Sequence, residues 1–153
     1  AFGKGPWETK WKTGCVGFVG NNELAFVNKD TAQAGTMIHE AVHRYSDLGS
    51  SGVIYLSQPL NEGITEYFTQ KVCAGVGIDG PDRGVYVPNY QCAAKLAKLV
   101  GEATLATSFF KGPANVLKDA YISKKGKKSG EENWTKFIDY TKEDKWTEAA
   151  LLL

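Results

Sequence analysis

The sequence predicts an α+β fold in a single domain spanning residues 1–153: a small N-terminal β-sheet, then a pair of adjacent helices, then a mainly helical C-terminal part. Three observations carry this expectation. In CVGFVGNNELAFVNK, β-branched and aromatic residues flank Gly-Asn-Asn, the pattern of a strand, a turn and a second strand. Apolar residues recur at helical spacing in TAQAGTMIHEAVHRYSDL and again in LNEGITEYFTQKVCA. From Asn89 onward the pattern stays helical, and 153 residues suffice to bury one core beside one cleft.

Taken in order, the glycine-rich first thirty residues supply the small sheet. Asp30 and Thr31 are candidate N-caps for a first helix, in which Ile38, Val42 and Tyr45 share a face and which should stop before Gly49. The stretch GSSGVIYLSQ reads as an extended segment or loop. Pro59 then stands where proline is tolerated, in the first turn of the second helix. The region GVGIDGPDRGVYVP holds four glycines and two prolines, too many for a regular helix, and reads as a long surface loop. Loops of that length are often functional. Three helices should follow, in NYQCAAKLAKLVGEA, GPANVLKDAYISK and GEENWTKFIDYTKED. Between the last two, Lys124, Lys125, Lys127 and Lys128 read as a solvated loop, with a local basic patch as the alternative.

Composition narrows the function classes. With 18 basic and 17 acidic residues the chain has no net field to draw it to nucleic acid, so none is expected as a partner. No apolar run is long enough to span a bilayer, so membrane insertion is not expected. Of the three cysteines, none lies in a CxxC pair, which argues against a zinc ribbon or redox centre. Cys73 and Cys92 flank the long loop, leaving a disulfide between them open beside free thiols. AFGKGPWETK shows no charged region leading into an apolar one, so the chain reads as a mature form or an excised domain.

The chemistry is concentrated in His39-Glu40-Ala41-Val42-His43. Residues four apart lie one turn apart on the same helix face, so the two imidazoles can converge on one tetrahedral zinc ion. Glu40 follows the first histidine and projects beside the metal, where it can act as general base toward a bound water. A chain of this composition would produce the HExxH arrangement by chance about once in a thousand. A catalytic site needs a third protein ligand, and with only two histidines that ligand must be a carboxylate or a cysteine. The second helix offers Glu62 and Glu66, again four apart and bracketed by Leu60, Ile64, Tyr67 and Phe68.

HEAVH, then eighteen residues, then LNEGITEYF resembles the gluzincin metallopeptidases over roughly positions 33 to 72. In that family a glutamate on a second, antiparallel helix completes HExxH, often within Asn-Glu-Gly, and the spacing matches the aminopeptidase branch. The resemblance implies a zincin-like domain with one catalytic zinc held by His39, His43 and Glu62. It also implies that Glu66 accepts a hydrogen bond from a zinc-bound histidine, assigned to His39, which would fix that ring's tautomer. Aminopeptidase-like members place an oxyanion-stabilising tyrosine some sixty residues beyond the third ligand, and Tyr121 stands 59 residues after Glu62. Tyr86, Tyr90 and Arg83 are its competitors. Substrate in this clan adds to an edge strand, for which the segment containing Glu23, Leu24, Ala25 and Phe26 is the candidate.

The expected activity is therefore peptide-bond hydrolysis on a peptide or protein substrate. Endopeptidase action is favoured, because no segment resembles the GxMEN element with which aminopeptidases grip a free amino terminus. The compact layout is similar to metallopeptidase modules of secreted bacterial effectors and polymorphic toxins, which implies a secreted or delivered protein. GTMIHEAVH also resembles the aspzincins, but Asp47 follows His43 by only four residues on the same helix, a poor position for a third ligand. A non-catalytic zinc-binding module would have no need of Glu40. A zinc amidase acting on cell-wall peptides is the remaining alternative.

Overall fold

The structure is a computed structural model that describes residues 17–19, 25–27, 33–49, 56–81, 87–112 and 115–153. Its class is all-α, which corrects the α+β expectation. Among the described residues, extended structure is confined to two three-residue strands, β1 (Gly17–Val19) and β2 (Ala25–Val27), paired antiparallel with Phe18 opposite Phe26. Two strands of that length cannot form a sheet layer that buries a face of its own. The alternation was read correctly as a hairpin and wrongly as an architectural layer. The hairpin lies against the first helix.

That helix, α1, runs from Ala34 to Gly49, through the glycine expected to stop it. Its proposed caps Asp30 and Thr31 lie outside the described residues. Of the expected apolar stripe, Val42 is buried, Ile38 is half-buried and Tyr45 is exposed. Thr36, His39, Glu40 and Ser46 are buried instead. A helix that turns this many polar groups inward must find partners for them, and Ser46 donates to the carbonyl of His43 at 2.7 Å.

The second helix, α2 (Gln58–Val76), starts at Ser57, whose hydroxyl accepts the Leu60 amide, with Pro59 in the first turn. It stops at Gly77, whose φ of 69° is left-handed and whose amide bonds the Cys73 carbonyl. Residues on opposite sides of α2 are buried, Ile64 and Phe68 as well as Thr65 and Glu66. It is the central helix, with α1 on one side and α3 (Val87–Val100) on the other. Gly63 permits the second contact: a Cβ there would lie 2.5 Å from the backbone oxygen of Asn89. Asn89 in turn donates to the carbonyl of Pro59 at 3.0 Å.

The remaining helices are α4 (Glu102–Phe110), α5 (Asn115–Lys125), α6 (Lys127–Lys142) and α7 (Trp146–Leu151). Two of these, α4 and α7, were not anticipated. The expected lysine-rich loop is a helix junction: Lys124 and Lys125 end α5, Lys127 and Lys128 begin α6, and Gly126 at φ 85° makes the turn between them. One hydrophobic cluster joins residues of every described helix, including Val42, Leu60, Leu96, Leu105, Leu117, Phe137 and Ala149. Cys73 and Cys92 are buried free thiols, and burial pushes the Cys92 thiol up to about 12. No described helix is long and apolar enough to cross a membrane.

Candidate metal centre

The facing sides of α1 and α2 bring together four of the residues singled out in the sequence. His39 meets Glu66 and His43 meets Glu62, the order expected of an antiparallel helix pair. The Nε2 atoms of His39 and His43 are 3.1 Å apart, and Oε2 of Glu62 is 3.1 Å from the second and 3.3 Å from the first. Among the described residues, His39, His43 and Glu62 form a group that can hold a metal ion.

The donor set fits such an ion. Ligands bound tetrahedrally at 2.0–2.1 Å are separated by about 3.3 Å, close to the three observed edges. His39 Nδ1–H donates to Oε2 of Glu66 at 3.0 Å, so a neutral His39 would turn a bare Nε2 toward His43 and the Glu62 carboxylate. Electron pairs brought this close repel unless a cation sits among them. In the metal-free chain that cation is a proton. Burial alone would lower the pKa of His39, but hydrogen bonds to Glu62 and Glu66, with the charges of Glu62 and Glu40, outweigh it and hold the imidazolium up to about 9. Burial likewise opposes ionisation of Glu62, and the two histidines overcome it, bringing the carboxyl down to about 2.

Partners further from the triad fix its members. Glu66 is almost fully buried, and its other oxygen accepts from the Gln70 amide at 2.6 Å. The same Gln70 nitrogen donates to the carbonyl of Pro81 at 3.2 Å. Pro81 itself packs on Gly35 of α1, where a Cβ would lie 2.5 Å from its nitrogen. His43 is held by Thr65, whose Oγ1 lies 3.1 Å from Nδ1 and 3.3 Å from the side-chain oxygen of Asn61. Glu40 is buried on α1 beside the first histidine, and its charge acts on His39.

Tyr121 is placed elsewhere, which corrects the role suggested for it. Its side chain is fully buried, its ring packs on Trp134 and Phe137, and its hydroxyl donates to the carbonyl of Leu152 at 2.7 Å. It is a core residue of the α5–α6–α7 region, chosen in the sequence by its distance along the chain alone. Tyr90 packs on the ring of Tyr67. Arg83 and Tyr86 lie outside the described residues, as do Glu23 and Leu24; Ala25 and Phe26 belong to β2. Sequence reading missed Thr65, Gln70 and Asn61. The signal was there, since Asn61 and Thr65, like Glu66 and Gln70, are four apart on the helix that carries Glu62.

Compared with known proteins, the chain matches no family model, no curated protein and no solved structure.

Proposed function

We propose that the chain is a zinc-dependent metallopeptidase of gluzincin type, acting as an endopeptidase on peptide or protein substrates. The observation that carries this reading is the triangle of two imidazole nitrogens and one carboxylate oxygen with edges of 3.1–3.3 Å, built on HExxH with Glu40 beside it. Nitrogen and oxygen donors in tetrahedral spacing favour zinc over the hard cations that take six or more oxygens.

When bound there, zinc supplies Lewis acidity, acidifying water and polarising a scissile carbonyl. The chain supplies the rest. Glu40, buried next to His39, accepts the proton of the attacking water and then delivers it to the leaving amine. Glu66 holds His39 through Nδ1 and keeps its Nε2 directed at the triangle. The β1–β2 hairpin lies against α1, and among the described residues each of its strands is an edge to which an extended peptide can add by main-chain hydrogen bonds.

The test is metal content by mass spectrometry combined with casein cleavage. Wild type should carry about one zinc per chain, Glu62→Ala should lose it, and Glu40→Gln should keep it while losing cleavage. Absence of zinc from metal-replete wild type overturns the reading. Zinc retention with no loss of cleavage in Glu40→Gln removes Glu40 from the mechanism.

A further inference from the structure

We propose that Asn61 and Thr65 are a positioning pair that selects the tautomer of His43 able to bind metal. The inference rests on the metal site described above and concerns residues outside the His39–His43–Glu62 triangle.

Hydrogen counting makes the argument. Thr65 is fully buried, and its Oγ1 lies 3.1 Å from Nδ1 of His43 and 3.3 Å from Oδ1 of Asn61. An amide oxygen only accepts, and a hydroxyl carries a single hydrogen. Donation to Asn61 therefore leaves Thr65 with lone pairs alone to offer His43. The ring must bring its own proton to that contact, on Nδ1. A metal-bound His43 requires this arrangement, because Nε2, the atom that faces His39 and Glu62, must then be bare; without metal, the Glu62 carboxylate competes for the ring proton at Nε2, and Thr65 as an acceptor draws it to Nδ1. The other tautomer would point an N–H into the triangle and close it to a metal ion.

Asn61 sets the direction of this relay. Without it, the Thr65 hydrogen is shared between the backbone carbonyl one turn back and Nδ1, which when accepting would push the ring proton to Nε2. A threonine inside a helix ordinarily bonds the backbone carbonyl one turn back. Here the acceptor belongs to that same residue but is its side chain. The two ligand histidines are thus oriented by different chemistry: His39 by the buried carboxylate of Glu66, His43 by a neutral hydroxyl aimed by an amide. Helical spacing supplies both arrangements, because Asn61, Glu62, Thr65 and Glu66 all belong to consecutive turns of α2.

The experiment uses the full chain as wild type, Thr65→Ser, Thr65→Val and Asn61→Ala. Zinc affinity is measured by competition with a chromophoric chelator, thermal stability by melting, and the His43 tautomer by long-range proton–nitrogen NMR of the metal-free protein at alkaline pH. Serine keeps the hydroxyl and loses a buried methyl; valine keeps the shape and loses the hydroxyl. Zinc affinity should fall by about 10–100-fold in Thr65→Val, stay near wild type in Thr65→Ser, and be reduced in Asn61→Ala. Melting should show each variant folded under the conditions of the affinity measurement. The NMR should show a larger Nδ1–H fraction at His43 in wild type and Thr65→Ser than in Thr65→Val. Wild-type affinity in Thr65→Val overturns the proposal. If wild type takes no zinc, the metallopeptidase reading fails, and the tautomer still decides this one: an Nδ1–H fraction at His43 unchanged in Thr65→Val overturns it, and a fraction reduced there supports it.

Discussion

Among single residues, His39 has the largest consequence for solution behaviour. Its pKa of about 9 in the metal-free chain means that near neutrality it carries a second ring proton which a metal ion must displace. Zinc uptake at pH 7 should therefore release about one proton from this residue, read by calorimetry in buffers of different ionisation enthalpy. The same shift governs stability without metal. The contribution from His39 is complete below 6.5 and is lost as pH rises through about 9. That from Glu62 is complete above 4.5 and is lost as pH falls through about 2. Metal-free protein should accordingly draw its full support from this pair between 4.5 and 6.5, checked by melting across pH. Tyr121 makes a contrasting case. Tyr121→Phe should lower stability by about 1–2 kcal/mol through loss of the bond to Leu152 while leaving zinc content and cleavage unchanged, measured by denaturant titration and casein assay.

At the scale of elements, α2 governs the site because it is gripped from both sides. Gly63, next to the candidate ligand Glu62, is a close contact with α3, with the Asn89 backbone in the space a side chain would need. Gly63→Ala gains helix propensity, yet its methyl would have to displace backbone rather than a flexible side-chain end. It should destabilise the fold by about 1–3 kcal/mol and weaken zinc binding, since shifting α2 moves Glu62 relative to α1. Thermal melting and chelator competition would measure both; an unchanged melting temperature would show that the helices can part at no cost. A glycine in Asn-Glu-Gly can be noticed in a sequence. Its reason is a neighbour 26 positions away, which local pattern does not reveal.

For the molecule as a whole, α1 is attached by an inward stripe of polar groups, and a bound ion would join it to α2 directly. Chelation should lower the melting temperature cooperatively, with zinc at a hundred times its dissociation constant adding about 2.7 kcal/mol, read by calorimetry with and without chelator. The parts legible in the sequence were those governed by short spacing. His39 and His43 one turn apart, Pro59 opening α2 and the helical periods after Asn89 all follow from local geometry. Apart from the meeting of His39 and His43 with Glu62 and Glu66, which the family resemblance implied, what depended on distant contacts was not legible. Three-residue strands carry the same alternation as longer ones, so the hairpin was given the weight of a sheet. Gly126 was read as part of a loop, although one left-handed residue between two helices was enough. Tyr121 could not be told from a surface tyrosine without its partner at Leu152.

Gln70 couples two places that no stretch of sequence connects. One nitrogen serves both the carboxylate that steers His39 and the carbonyl of Pro81. Any coupling carried by this amide is reciprocal: if an ion that tightens His39 against Glu66 also tightened the hold on Pro81, a molecule that drew Pro81 away would loosen the ion by the same factor. An ion held at the candidate site would in this sense act at Pro81 as well as at His39.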